Sequence, residues 1–211
     1  MRRSREDTAQ TRGRIIAGAS AILRERGLLN VSVAELMATA GLTHGGFYAH
    51  FDSRDELVAE AIRFALLQSA QRIYMSALKS GERPGYAKLI RRYLTVEHRD
   101  HPESGCAIAS LGSEIARNGA TAAEVFSEGF SELIGLLAQL SPERTARARR
   151  AHILSVVSAL SGALVLARSV TGSEMSREVL DSVRSVLLAD EKRRQSGAIV
   201  RRPHVEAGKA G

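Results

Sequence analysis

Three places in the 211-residue chain hold side chains or backbone that could do chemistry. The first is "GLTHGGFYAHF" (41–51), with three glycines, two histidines and three aromatics between helix-forming flanks. Each glycine costs a helix about 1 kcal/mol relative to alanine. Gly45 and Gly46 side by side therefore read as backbone meant to come close to something, and the amide groups of a helix start suit a phosphate. The second is Cys106 in "ESGCAIASLGSEIARN", the only cysteine, at the expected first turn of a helix. A helix N-terminus favours a thiolate, and His98, Arg99 and His101 stand nearby in sequence, so Cys106 reads either as a reactive sensor or as a small packing residue. The third is His98-x-x-His101 with Cys106, whose spacing matches no common zinc pattern and lacks a fourth ligand, so no metal is expected. His50 and Asp52 could form an acid–base pair, but no nucleophile accompanies them. There is no GxSxG, P-loop, GxGxxG or HExxH arrangement. The chain reads as a non-enzyme without a cofactor.

The elements that must carry these residues are helical. The sequence is 44% hydrophobic with four Pro and no Trp, and it shows no alternating strand pattern, which gives an all-α class. Nine helices are predicted. Apolar residues at Ile15, Ile16, Ala19, Ile22 and Leu23 mark one from Thr8 to Arg26, stopped by Gly27. Ser32 with Glu35 makes a capping box for a short second helix, and Gly41 suits a left-handed turn after it. Thr43 caps a third helix running to Phe51, and Ser53 caps a long fourth one over 54–78. "SGERPG" (80–85) is the clearest break. Five further helices follow over 86–96, 105–117, 122–140, 143–169 and 175–188, with "EHRDHPESG" as a polar loop. A basic tail, 191–211, is expected to be disordered.

The formal charge of +7 sits at the ends. Residues 1–14 carry five Arg against two acids, and 191–211 carry six Lys or Arg against two, while the middle cancels. Such ends serve either as solubilising tails or as basic arms beside a DNA-reading element, with Arg2, Arg3 and Arg5 reaching into a minor groove. No segment offers roughly 18 uninterrupted apolar residues, and the N-terminus lacks the apolar run of a signal peptide. With one cysteine, a reducing, cytoplasmic setting is expected.

Helix, glycine turn, helix, with caps at Ser32 and Thr43, is a helix-turn-helix unit, whose second helix enters a major groove. "VSVAELMATAGLTHGGFYAHFDSRDEL" resembles the DNA-binding domain of the TetR family of transcriptional regulators, through Ala40-Gly41-Leu42, Phe47-Tyr48, His50-Phe51 and Asp55-Glu56-Leu57. The resemblance implies a helix-turn-helix domain over 8–54 and a helical ligand-binding and dimerisation domain over 55–190. It implies that Ser32, Thr43, His44, Gly45, Gly46, Tyr48, His50 and Arg54 meet DNA, with His44 standing where Lys is frequent. Leu36, Leu42, Phe47 and Phe51 would form the small domain's core.

The resemblance further implies a ligand- or redox-responsive repressor, homodimeric through its last two long helices, released from its operator by a small-molecule inducer or by thiol modification. Small residues in "SALSGALVLARS" (Ser158, Ser161, Gly162, Ala163) would allow close helix approach between subunits. The fourth helix would carry the signal. Candidate pocket residues are Phe64, Tyr74, Tyr86, Tyr93, Phe126 and Phe130, beside the sensor candidate Cys106. A sequence-neutral architectural DNA binder is the alternative.

Overall fold

The computed structural model describes residues 5–78, 86–117 and 119–200, all helix and turn with no strand among them. Arg2, Arg3, the whole 80–85 break and the last eleven residues lie outside the described residues, as do the side chains of Arg5 and Tyr74. Helix α1 (Arg5–Arg26) ends at Gly27, whose φ of +86° is reached at little cost only without a Cβ. Helix α2 (Val33–Ala38) starts at the capping box: the Ser32 hydroxyl accepts from Glu35 N at 3.3 Å, and Ser32 N donates to the Glu35 carboxylate at 2.8 Å. Gly41, at φ +72°, turns the chain, and Leu42 N closes the turn on Met37 O at 3.1 Å. The segment expected as a third α-helix is instead a 3-10 turn, His44–Ala49. Two adjacent glycines leave it too weak a helix former for more than one tight turn, and Gly46 N to Thr43 O and His50 N to Phe47 O are three-residue bonds.

Helix α3 (Arg54–Leu78) is capped by Ser53, as its sequence predicts. Then come α4 (Tyr86–Tyr93), α5 (Val96–Asp100), a short 3-10 turn (Pro102–Ser104), α6 (Ala107–Ile115), α7 (Ala120–Ala138), α8 (Ala146–Ser169) and α9 (Ser173–Val200). The predicted polar loop contains α5, because Thr95 accepts from His98 N at 3.1 Å and caps a helical turn there. The predicted disordered tail is helical as far as Val200. Glu191, 3% exposed, anchors that stretch by accepting from Tyr86 N at 3.1 Å and from Gln195 one turn on at 2.8 Å, while Arg194 pairs with Asp190 and Glu143.

The expected boundary at 54/55 does not divide the core. Ile15, Leu23, Leu36, Phe47 and Phe51 pack in one cluster with Ile62, Leu111 and Ile115 of α3 and α6. A second cluster holds Tyr86, Ile90, Leu133, Ile134, Ile153 and Leu160 of α4, α7 and α8. Helix α8 is long and apolar enough, by mean hydropathy, to cross a bilayer, but half of its apolar window is buried inside the fold, as in a core helix.

Candidate nucleic-acid interface and the pocket behind it

The surface of the turn His44–Ala49 is built from groups with no internal duty. A Cβ added at Gly45 would meet nothing within 4 Å, and at Gly46 only Met37 Cε at 3.8 Å. Neither glycine is demanded by packing or by a positive φ. Thr43 stands at the N-cap with extended backbone, yet its hydroxyl makes no capping hydrogen bond. Tyr48 is 72% exposed, its ring held edge-on against buried Phe47 at 5.3 Å. His44 is exposed and His50 half-buried. Ser32 is exposed, but its hydroxyl also donates to Glu35 at 2.7 Å. Backbone and hydroxyl hydrogen bonds from Ser32, with Arg26 at 2.8 Å, hold the Glu35 carboxyl down to about 2.

The arginines around this surface face inward. Arg12 donates to Glu60 at 2.5 and 2.6 Å, to Glu56 at 2.8 Å and to His50 O at 3.1 Å, with its guanidinium 4.6 Å from the Phe51 ring centre. Arg54, expected to meet DNA, donates from one guanidinium nitrogen to the carbonyls of Leu28 and Val31. These bonds fasten the α1–α2 loop to the start of α3. Arg24, 5% exposed, donates to Ser20 O at 3.0 Å and across to Gly105 O at 2.9 Å. Leu28 N donates to Glu114 of α6 at 2.7 Å. The helix-turn-helix unit is thus tied to the rest by the end of α1 as well as through α3.

Gly105 opens the second region. Its neighbour Cys106 is the N-cap of α6 and 7% exposed. Cys106 N donates to His98 Nε2 at 3.0 Å, and His98 Nδ1 lies 2.7 Å from Tyr93 O. A carbonyl only accepts, so Nδ1 carries the proton and Nε2 is the bare acceptor. His98 in this arrangement is neutral and lends Cys106 no positive charge. Arg168 of α8 is the half-buried cation nearby, donating to Arg99 O, His98 O and Ser110 at 3.0, 2.8 and 3.1 Å, with burial lowering its pKa. Sequence reasoning missed Arg24, Arg168 and Glu114, since each acts on a partner at least 58 positions away.

A cavity of about 410 Å3 opens over Cys106, Tyr93 and His98, with Lys88, Arg91 and Arg92 of α4 along its wall. Of the aromatic lining predicted from sequence whose side chains are described, Tyr93 reaches it and Phe64, Tyr86, Phe126 and Phe130 do not, while Tyr74 lies outside that set. Tyr86 is fully buried in the second cluster and donates to Leu137 O at 2.9 Å, burial raising its phenol pKa. Phe126 and Phe130 stack on each other at 5.9 Å, packed against the two core clusters, and Phe64 is half-buried on α3. They fill core because an aromatic on an amphipathic helix has more to gain there than at an open wall. Among the described residues no group of three His, Cys, Asp or Glu comes together as for a metal, and His101 pairs with Glu103 at 3.1 Å.

The small-residue face expected on α8 divides in two. Ser161 and Ala163 are buried in the monomer, Ser161 3.3 Å from the Tyr93 hydroxyl. Ser158 and Gly162 remain exposed, in register with Ser155, Val165 and Ser169. Helix α9 exposes Met175, Ser182, Ser185 and Val186 at matching spacing. Both stripes recur at three and four residues, the pattern of a helix face that meets other helices.

Residues 15–61 match the family model of bacterial regulatory proteins of the tetR family. Over those residues the chain carries a TetR-type N-terminal domain. Two curated relatives match part of the chain: the HTH-type transcriptional regulator TtgR of Pseudomonas putida is 36% identical over 58 residues, 28% of either chain. The HTH-type transcriptional repressor BepR of Brucella suis biovar 1 is 32% identical over 62 residues, 29% of this chain and 30% of that one. The alignments thus span under a third of these relatives' length. The TetR-type fold extends further. A TetR family transcriptional regulator from Cytophaga hutchinsonii superposes with a TM-score of 0.69 at 17% identity, covering 90% of this chain and 98% of that one. The reduced form of E. coli NemR superposes with a TM-score of 0.65 at 19% identity, covering 83% and 96%.

Proposed function

We propose that this TetR-family chain is a cytoplasmic, homodimeric transcriptional regulator that binds operator DNA, and acts as a repressor released by an effector. The observation that carries the reading is the contrast at His44–Ala49. Gly45, Gly46, Thr43 and Tyr48 present backbone, hydroxyl and phenol outward with no internal role, on a base made rigid by Arg12 and Arg54. Such a face suits phosphates and groove edges, with Ser32, His44 and His50 around it. Two copies joined through the exposed stripes of α8 and α9 would set two such faces one helical turn of DNA apart.

Release follows from the same frame. A ligand in the cavity over Cys106 presses on the Gly105–Cys106 turn, whose carbonyl holds Arg24 of α1. Displacing that turn tilts α1, and with it the spacing of the two DNA-facing turns, so ligand favours the conformer that fits DNA poorly. The fourth helix of the fold, α3, remains a second route. A thiol route is favoured by one observation: Cys106 itself lines the cavity, so an electrophile or oxidant admitted there meets its sulfur.

A gel shift with the chain's own upstream region, excess competitor DNA and rising salt tests the DNA reading. The expected result is a specific complex preferred over bulk DNA by a ratio of about 10³ or more, weakened roughly tenfold by Tyr48→Phe if that hydroxyl bonds a phosphate. A monomer in solution, or equal binding to every duplex, would instead support the sequence-neutral architectural reading.

A further inference from the structure

The predicted pocket was aromatic; the cavity that exists is cationic at its wall and apolar at its floor. Helix α4 explains the difference. Tyr86, Ile90 and Tyr93 recur at four and three residues and are buried. Lys88, Arg91 and Arg92, on the other side of the helix, face the cavity. Lys88 and Arg91 have no carboxylate partner among the described residues, and Glu97 is the one carboxylate on the lining. Around these cations, His98 is held neutral between Cys106 N and Tyr93 O. The hydroxyls of Ser69 and Thr95 already serve Ala65 O and His98 N, Ser104 donates to His101 O, and His101 pairs with Glu103. Charge is therefore the polar feature that remains to select a ligand.

The floor is different. Leu89, Tyr93 and Cys106 form it, and the same three residues also line a small apolar space that reaches Leu133 and Leu160. That space is of about 10 Å3, lined by apolar surface alone, at the lower limit of what holds a water molecule. It leaves slack beneath the floor into which an apolar body can press.

Given the regulatory reading above, we infer that the effector is an amphipathic carboxylate: an anionic head at Lys88 and Arg91, with an apolar body against Leu89, Tyr93 and Cys106. A cavity of about 410 Å3 takes a molecule of one or two rings, not a peptide. Guanidinium and ammonium groups around one head give charge-assisted bonds that a neutral isostere cannot replace. A cationic ligand is repelled from the same wall.

The test uses the full chain and three probes of one shape: 4-phenylbutanoate, 4-phenylbutanamide and 4-phenylbutylammonium, titrated by calorimetry at low and moderate salt. The carboxylate is expected to bind at least about tenfold more tightly than the amide, with the ammonium weakest. Lys88→Gln with Arg91→Gln should remove that preference and leave amide binding unchanged. If circular dichroism finds the double variant unfolded, Arg91→Gln alone, at an exposed position, decides. The inference is overturned if no probe binds, if the amide or ammonium binds as well as the carboxylate, or if the variant keeps the preference. A gel shift on the same samples separates the two readings. Operator binding without carboxylate preference sinks this inference alone, whereas carboxylate preference without operator binding sinks the regulatory reading and leaves the pocket's chemistry standing.

Discussion

The turn His44–Ala49 and the turn at Gly105–Cys106 are both short, glycine-containing segments at helix starts, and they are used in opposite ways. The first, apart from buried Phe47, has few internal obligations on its outer face: Gly45 faces open space, Tyr48 is exposed, and the Thr43 hydroxyl makes no cap. The second is held on every side. Arg24 bonds the Gly105 carbonyl, His98 takes the Cys106 amide, and Arg168 clamps residues 98, 99 and 110. A segment that must meet an outside partner is left free by the fold. A segment that must report to another part of the molecule is wired into it. Substitutions should therefore separate: at the first turn they change binding with little effect on stability, and at the second they change stability first.

The largest stability effect is expected at Arg24. Its guanidinium is buried, and removing it strands the buried Gly105 carbonyl while leaving a hole between α1 and the cavity floor. Arg24→Ala should lower unfolding stability by about 2–4 kcal/mol, read from urea denaturation. Because the same contact joins the two regions, effector should also release the variant from DNA less completely than the parent. A loss below about 0.5 kcal/mol would mean that the second turn is not wired in as described.

Gly45→Ala should behave in the opposite way. The added methyl meets no atom within 4 Å and relieves the chain of a flexible residue in a helical turn. Stability is expected to hold or rise by about 0.5–1 kcal/mol. Operator affinity should fall roughly tenfold or more if, as proposed, the backbone at Gly45 approaches the duplex. Thermal unfolding and gel shift on one preparation read both numbers. A variant that binds DNA as tightly as the parent would remove the reason given for this glycine.

How far these regions could be read from sequence follows from how far their partners lie along the chain. The capping box at Ser32 and Glu35, the glycine stops at 27 and 41 and the Ser53 cap all join residues within four positions, and each is visible as a local pattern. The choice between α-helix and 3-10 turn at 44–49 was not legible, because two glycines weaken either form and the closing bonds depend on Phe47 and Leu42 packing inward. The bonds from Arg54 to the carbonyls of Leu28 and Val31 have no sign in the sequence, because those partners lie more than twenty positions away. The pocket was misread for a related reason. Aromatic residues on helix faces advertise burial, and Tyr86, Phe126 and Phe130 are indeed covered or packed. The cavity arises where the polar side of α4 meets the α5–α6 connection, a relation set by tertiary packing. Glu191 was assigned to a loose tail for want of any sequence sign that a carboxylate would be buried beside Tyr86 and His152.

The smallest effect concerns the link between the free turn and the base beneath it. Glu35 starts α2 from an exposed position, and its carboxyl lies near 2 rather than 4.5 because Ser32 and Arg26 bond the ionised form. A carboxyl whose pKa is lowered by folding adds stability above its unfolded value and loses it as pH falls through the folded value. That contribution is therefore complete above about pH 4.5 and fades between there and about pH 2. Glu35→Gln keeps an oxygen to accept from Ser32 N and removes the charge. The variant should be less stable than the parent at neutral pH, with the gap closing across that acidic window and shrinking with added salt, as an exposed pair must. Urea titrations at pH 7 and pH 3 check it. A gap that stays constant would show the ionised carboxylate to be idle, and would leave the Ser32 hydroxyl available to phosphate without a competitor.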